Sequence, residues 1–109
     1  MSYENNPYYH PKVHGLEIVA EHDFSDGCYQ FDLRVVWKDE KGRHFTARDS
    51  GCSCPSPFED YHSVKDLERL TSLVPLKEEY RTATNESYRN LSGWDEFRDK
   101  VAASLRASR

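Results

Sequence analysis

The sequence has no hydrophobic run near the roughly 18 residues that a membrane span requires, and it has no block of lysine and arginine. The first absence argues against a membrane protein. The N-terminal string MSYENNPYYHPK also lacks the basic and apolar regions of a secretory signal. The second absence argues against nucleic acid as a partner, because phosphate contacts call for a concentrated basic surface. Cysteine is scarce and odd in number, three in all, which argues against a secreted disulfide framework and favours free thiols. Nothing repeats internally.

What is present is the composition of one globular domain. The 109 residues are 37% apolar and 31% charged, and the seven tyrosines, five phenylalanines and two tryptophans carry much of the surface that can be buried. The net charge of −4 is uneven. Residues 1–62 hold six Lys/Arg against eleven Asp/Glu, whereas residues 63–109 hold nine against eight.

Residues 1–14 combine prolines, asparagines, tyrosines and histidines without periodicity and are expected to form an extended N-terminal arm, packed by its tyrosines or reaching a partner. Leu16, Ile18 and Ala20 alternate with polar neighbours and predict a strand over 16–22. The strongest signal follows: Tyr29, Phe31, Leu33, Val35 and Trp37 alternate with Gln30, Asp32, Arg34, Val36 and Lys38, predicting a strand over 28–38. Glu40-Lys41-Gly42 fits a three-residue hairpin loop with Gly42 left-handed, and the next strand spans 43–50. In that register facing residue numbers sum to a constant, so Trp37 opposes Phe45 and Val35 opposes Ala47, each pair on the apolar side.

A loop over 51–62 then leads to helices. Ser63-Val64-Lys65-Asp66 has the form of a capping box, and Val64, Leu67, Leu70 and Leu73 predict a helix over 64–73 that Pro75 stops. A second helix is expected over 76–90, and a third over 93–107 on the stripe Trp94, Phe97, Val101 and Leu105, opened by a box at Ser92 to Asp95. The fold class is α+β: a three-stranded antiparallel meander with two or three helices on one sheet face, leaving a polar face with Gln30, Asp32, Arg34 and Lys38 to water.

Chemistry concentrates around the string DSGCSCPSPFED. Extending the hairpin register sets Cys28 opposite Cys54, with Cys52 on the same side, so three thiols converge. Buried thiols explain them with no cofactor. Zinc is the alternative, with His62 or His44 as fourth ligand, although the Cys-Xaa2-Cys knuckle of zinc modules is absent. A thiol-dependent enzyme is a further alternative, without any signature that places a thiol beside a base. In the same loop Gly51, Pro55 and Pro57 stiffen the backbone, and Phe58 and Tyr61 can anchor it to the core. A stiff loop displaying Ser50, Ser53, Ser56, Phe58 and Glu59 is also a candidate recognition surface.

Three strings, GLEIVAE at 15–21, YQFDLRVVWKD at 29–39 and DSGCSCPSPFEDYHSVKDL at 49–67, resemble a family of small uncharacterised proteins encoded by phages of actinobacteria. The resemblance covers about residues 8–70, and DSGCSCPSPFED is its most specific part. It implies the cytoplasm of an infected bacterium as the compartment. Small nonstructural phage proteins often act by binding a host protein, and that class-level expectation favours an accessory, non-enzymatic role in binding a host or phage protein.

Overall fold

The computed structural model describes residues 5–25, 30–52, 56–86 and 90–108, with Cys52 described by its backbone alone. The α+β class holds, with four strands and two helices. The strands are β1 (Leu16–Asp23), β2 (Gln30–Asp39), β3 (His44–Cys52) and β4 (Glu68–Leu70), antiparallel in the order β1-β2-β3-β4. The helices are α1 (Val74–Thr84) and α2 (Trp94–Ala107), and single 3-10 turns span Pro11–His14 and Val64–Asp66.

The β2–β3 hairpin follows the register read from the sequence, with Trp37 against Phe45, Val35 against Ala47 and Gln30 against Cys52. Its turn explains why. Gly42 takes φ 82°, and the Asp39 carboxylate accepts from the amides of Lys41 and Arg43 at 2.9 Å each, fixing a three-residue loop. The strand β1 departs from simple alternation. Ile18 pairs with Trp37 but Ala20 pairs with Val36, so Val19 is an extra, bulged residue. Leu16 and Ile18 therefore pack on one side of the sheet and Ala20 on the other, not all three on one side.

Both faces of the sheet are buried. Leu33, Val35, Trp37 and Ala47 form one cluster with Leu16, Phe58 and Leu67, joined by Tyr8, Tyr61 and Val64. The opposite face gathers Ala20, Phe24, Val36 and Leu70 under Leu76 and Ala83 of α1 and Trp94, Phe97 and Val101 of α2. The helices thus cover the face expected to remain polar. Val36 on that face is fully buried. The Arg34 guanidinium binds both carboxylate oxygens of Glu79 from α1, and Arg48 binds both oxygens of Asp32 at 2.8 and 2.9 Å. Paired charges of this kind allow a helix to pack over arginine and aspartate, because each partly covered ion keeps its partners. Only Gln30 is fully exposed among the four residues assigned to water, and Lys38 is half-buried beside Glu17.

The expected helix over 64–73 is replaced by the turn Val64–Asp66 and then β4, which pairs with His44–Thr46 of β3. The capping box is real: the Ser63 hydroxyl accepts from the Lys65 amide, and the Asp66 carboxylate accepts from the amides of Ser63 and His62. The leucine spacing is what misleads. Leu67 packs in the Trp37 cluster and Leu70 in the Val36 cluster, and residues three apart along an extended chain face opposite sides. Pro75 lies inside the first turn of α1 instead of stopping a helix, the position where its missing N–H costs nothing. That helix ends at Thr84, whose hydroxyl donates to the Arg81 carbonyl. Left-handed Gly93, not a Ser92 box, caps the start of α2.

One titratable group ties the sheet to α2. His44, 2% exposed, donates from Nδ1 to the Gly42 carbonyl at 3.0 Å and accepts at Nε2 from the Ser104 hydroxyl at 2.7 Å. Burial, aided by the nearby Lys38 and Arg69 cations, lowers its pKa below the ordinary 6.5. The unfolded chain therefore takes up a proton that the folded chain resists. Stability is complete above about pH 6.5 and falls as the pH drops toward the folded pKa, with a slope of at most about 1.4 kcal/mol per pH unit from this group. Urea titrations across about pH 7.5 to 5 are expected to show that decline, and His44→Gln should flatten it. An unchanged slope in the variant would assign the decline to other groups.

Candidate functional site

The loop that follows β3 is held by one residue in an uncommon backbone conformation. Phe58 has φ 59°, the left-handed region that a residue with a Cβ enters at a cost of about 1–2 kcal/mol. Its surroundings offset that cost. The Asp49 carboxylate accepts from the Phe58 amide at 2.7 Å, and the Phe58 carbonyl accepts from the Asn6 side chain at 2.6 Å and from the Tyr61 amide at 3.1 Å. The ring is wholly buried, with Tyr8 and Tyr61 each 5.0 Å away and Trp37 at 5.9 Å between centroids.

Asn6 completes the clamp from the N-terminal segment. It is 3% exposed and all of its hydrogen-bonding capacity is used: Nδ2 donates to the carbonyls of Phe58 and Tyr61, and Oδ1 accepts from the amides of Tyr8 and Tyr9. The adjacent Pro7 carbonyl accepts from the Trp37 indole at 3.0 Å. Tyr8 donates its hydroxyl to Glu21, and burial together with that carboxylate pushes the phenol pKa up, so it stays protonated and donating. Residues 6–8 thus pack against the sheet as a strut, with Tyr8 in the Phe58 cluster.

The sequence-derived binding residues separate on this frame. Ser50 is exposed on β3 opposite Asp32 and borders a hollow of about 210 Å³ with Phe24 and Phe31 in its wall. Ser56 and Glu59 are half-buried and turned on each other, since the Ser56 amide donates to the Glu59 carboxylate at 3.3 Å and the Glu59 amide to the Ser56 carbonyl at 3.2 Å. Phe58 is not displayed at all; its role is the anchor, because a buried ring has no surface to present. Ser53 lies outside the described residues. Among the described residues of this region, Ser50, Asp60 and His62 are exposed and form its rim.

Of the metal candidates, Cys28 and Cys54 lie outside the described residues, and so does the proposed pairing between them. Cys52 closes β3 opposite Gln30, and His62 is exposed with its amide bonded to Asp66. The described residues contain no cluster of three or more metal-ligating side chains. Sequence reasoning missed Asn6 and Asp49. Their residue types gave no signal, since asparagine and aspartate in loop-like contexts read as turn formers, and only the fold brings both to Phe58.

Comparison with known families matches residues 5–108 to one described as a Domain of unknown function (DUF7574). The chain belongs to that family. No curated protein and no solved structure matches it. The match to DUF7574 begins at Asn5, so the N-terminal strut lies inside the matched domain. No helix among the described residues of this DUF7574 domain is long and apolar enough to cross a membrane.

The clamp makes two variants diagnostic. Phe58→Ala removes a buried ring and should lower stability by about 3–5 kcal/mol in urea unfolding. Phe58→Gly loses the same ring but relieves the left-handed backbone, so it should be about 1 kcal/mol more stable than Phe58→Ala. Equal stability of the two would contradict a strained Phe58.

Proposed function

We propose that this DUF7574 domain is a phage-encoded accessory protein that acts without catalysis. It works in the cytoplasm of an infected bacterium, by binding a host or phage protein through the loop at 49–62. The reading rests chiefly on the clamp at Phe58. The described part of the loop, 56–62, is braced at Phe58 by Asn6 and Asp49 before a partner arrives, which spares the entropy that a flexible loop loses on binding. The exposed residues Ser50, Asp60 and His62 offer hydrogen-bonding and charged groups, and Ser50 also borders the hollow walled by Phe24 and Phe31. The phage origin rests on the resemblance carried by DSGCSCPSPFED.

Affinity purification from an actinobacterial lysate tests the proposal. The wild-type domain should recover a defined partner, and Ser50→Arg combined with Asp60→Arg should reduce that recovery by about tenfold or more, the equivalent of about 1.4 kcal/mol. Both positions are exposed, so the melting temperature should hold within a few degrees, about the shift of a surface substitution. Equal recovery by wild type and double variant would sink the loop as the binding surface.

A further inference from the structure

A second surface, away from the loop and independent of it, has the chemistry of a docking site. Between the start of α1 and the end of α2 runs a groove of about 370 Å³ whose floor is Leu73, Val74, Ala102 and Leu105 and whose rim carries Lys77 and Arg106. Leu73 and Leu105 pack from this floor onto the helix-side core. Val74 is 62% exposed, the most exposed large hydrophobic among the described residues. An apolar side chain left in water beside a formed groove is the feature expected of a surface that another molecule covers.

The charge of the groove selects the occupant. The domain as a whole is acidic, at −4, yet neither Lys77 nor Arg106 makes an ion pair among the described residues. Glu78, the nearest acid along α1, is engaged by Arg81. The first turn of α1 contains no acidic residue, and the side-chain acceptor at its start is the neutral Ser72 hydroxyl, which accepts from the Val74 amide at 3.3 Å, so no carboxylate offsets the positive end of the helix beside the groove. Three sources of positive potential thus flank an apolar floor. Two cations are too few for a nucleic-acid backbone, whose affinity is built from many phosphate contacts.

We propose that this groove docks an amphipathic helical segment of a partner protein, with its apolar stripe on Val74 and Leu105 and its acidic residues toward Lys77, Arg106 and the α1 N-terminus. Helix-in-groove recognition reads apolar anchors at three- and four-residue spacing, and the acidic flank sets orientation and suppresses basic competitors.

The test uses the full chain and two synthetic peptides of about 15 residues, long enough for about four helical turns. One carries leucine at helical spacing with glutamate between; its twin carries lysine in place of glutamate. The acidic peptide should bind saturably by NMR titration, with amide shifts confined to residues 72–77 and 102–106. Lys77→Glu combined with Arg106→Gln should weaken binding by about tenfold or more, and Val74→Ser should do so separately. Lys65→Glu, exposed in the Val64–Asp66 turn that packs on the opposite face of the sheet, should leave it unchanged. Three results would overturn the proposal: no saturable binding up to about millimolar peptide, a lysine twin that binds equally, or groove variants that bind as wild type does. Binding to phosphatidylserine vesicles with no peptide response would overturn it as well, in favour of a membrane surface.

Discussion

Phe58 is held in a left-handed conformation by two side chains that lie 52 and 9 residues away along the chain, Asn6 on its carbonyl and Asp49 on its amide. The Asn6 bond cannot form unless the N-terminal segment lies beside the loop, and the ring cannot be buried unless Tyr8, Trp37 and Tyr61 already surround it. Local strain and long-range order therefore depend on each other. The same contact closes one face of the sheet, seals the Trp37 cluster and sets the path of the loop that carries the exposed rim.

The opposite face is solved with different materials. There the helices meet a strand surface on which Asp32, Arg34 and Arg48 flank a single buried valine, and they pack only because Glu79 and the facing side chains pair each charge. Trp94 is the apolar centre of this layer, with Phe24, His22, Tyr80 and Phe97 all within 5.5 Å of its ring. A sheet with one face sealed by a strut and a loop, and the other by helices, needs no long hydrophobic run in any element. That matches a chain whose apolar content is modest and whose aromatics are many.

The legible parts of this fold are those that depend on neighbours in sequence. Period-two alternation over 30–38 and the glycine at 42 were enough to place the β2–β3 hairpin in its observed register, and Ser63 with Asp66 announced a real cap. What failed depends on tertiary context. Leu67 and Leu70 have a spacing compatible with one helical stripe or with two strand faces, and only the presence of two cores decides between them. The polar residues of β2 read as solvent-facing because their partners, Glu79 above all, lie 45 residues on. Of the candidate site, the sequence marked the anchoring role of Phe58 and Tyr61. It gave no sign of Asn6, and it counted Phe58 among the displayed residues as well.

The loop rim and the basic-rimmed groove between helices are the two binding surfaces proposed for this domain. Both draw their rigidity from the core beneath, and for the loop that means the clamp. A double-mutant cycle on Asn6→Ala and Asp49→Ala tests the clamp most directly, since the two side chains touch each other only through the backbone of Phe58. If one residue holds both bonds in a strained conformation, losing either releases it, and the two destabilisations should fall short of additivity by about 1 kcal/mol. Costs that add within about 0.3–0.5 kcal/mol would show two independent contacts and contradict the account.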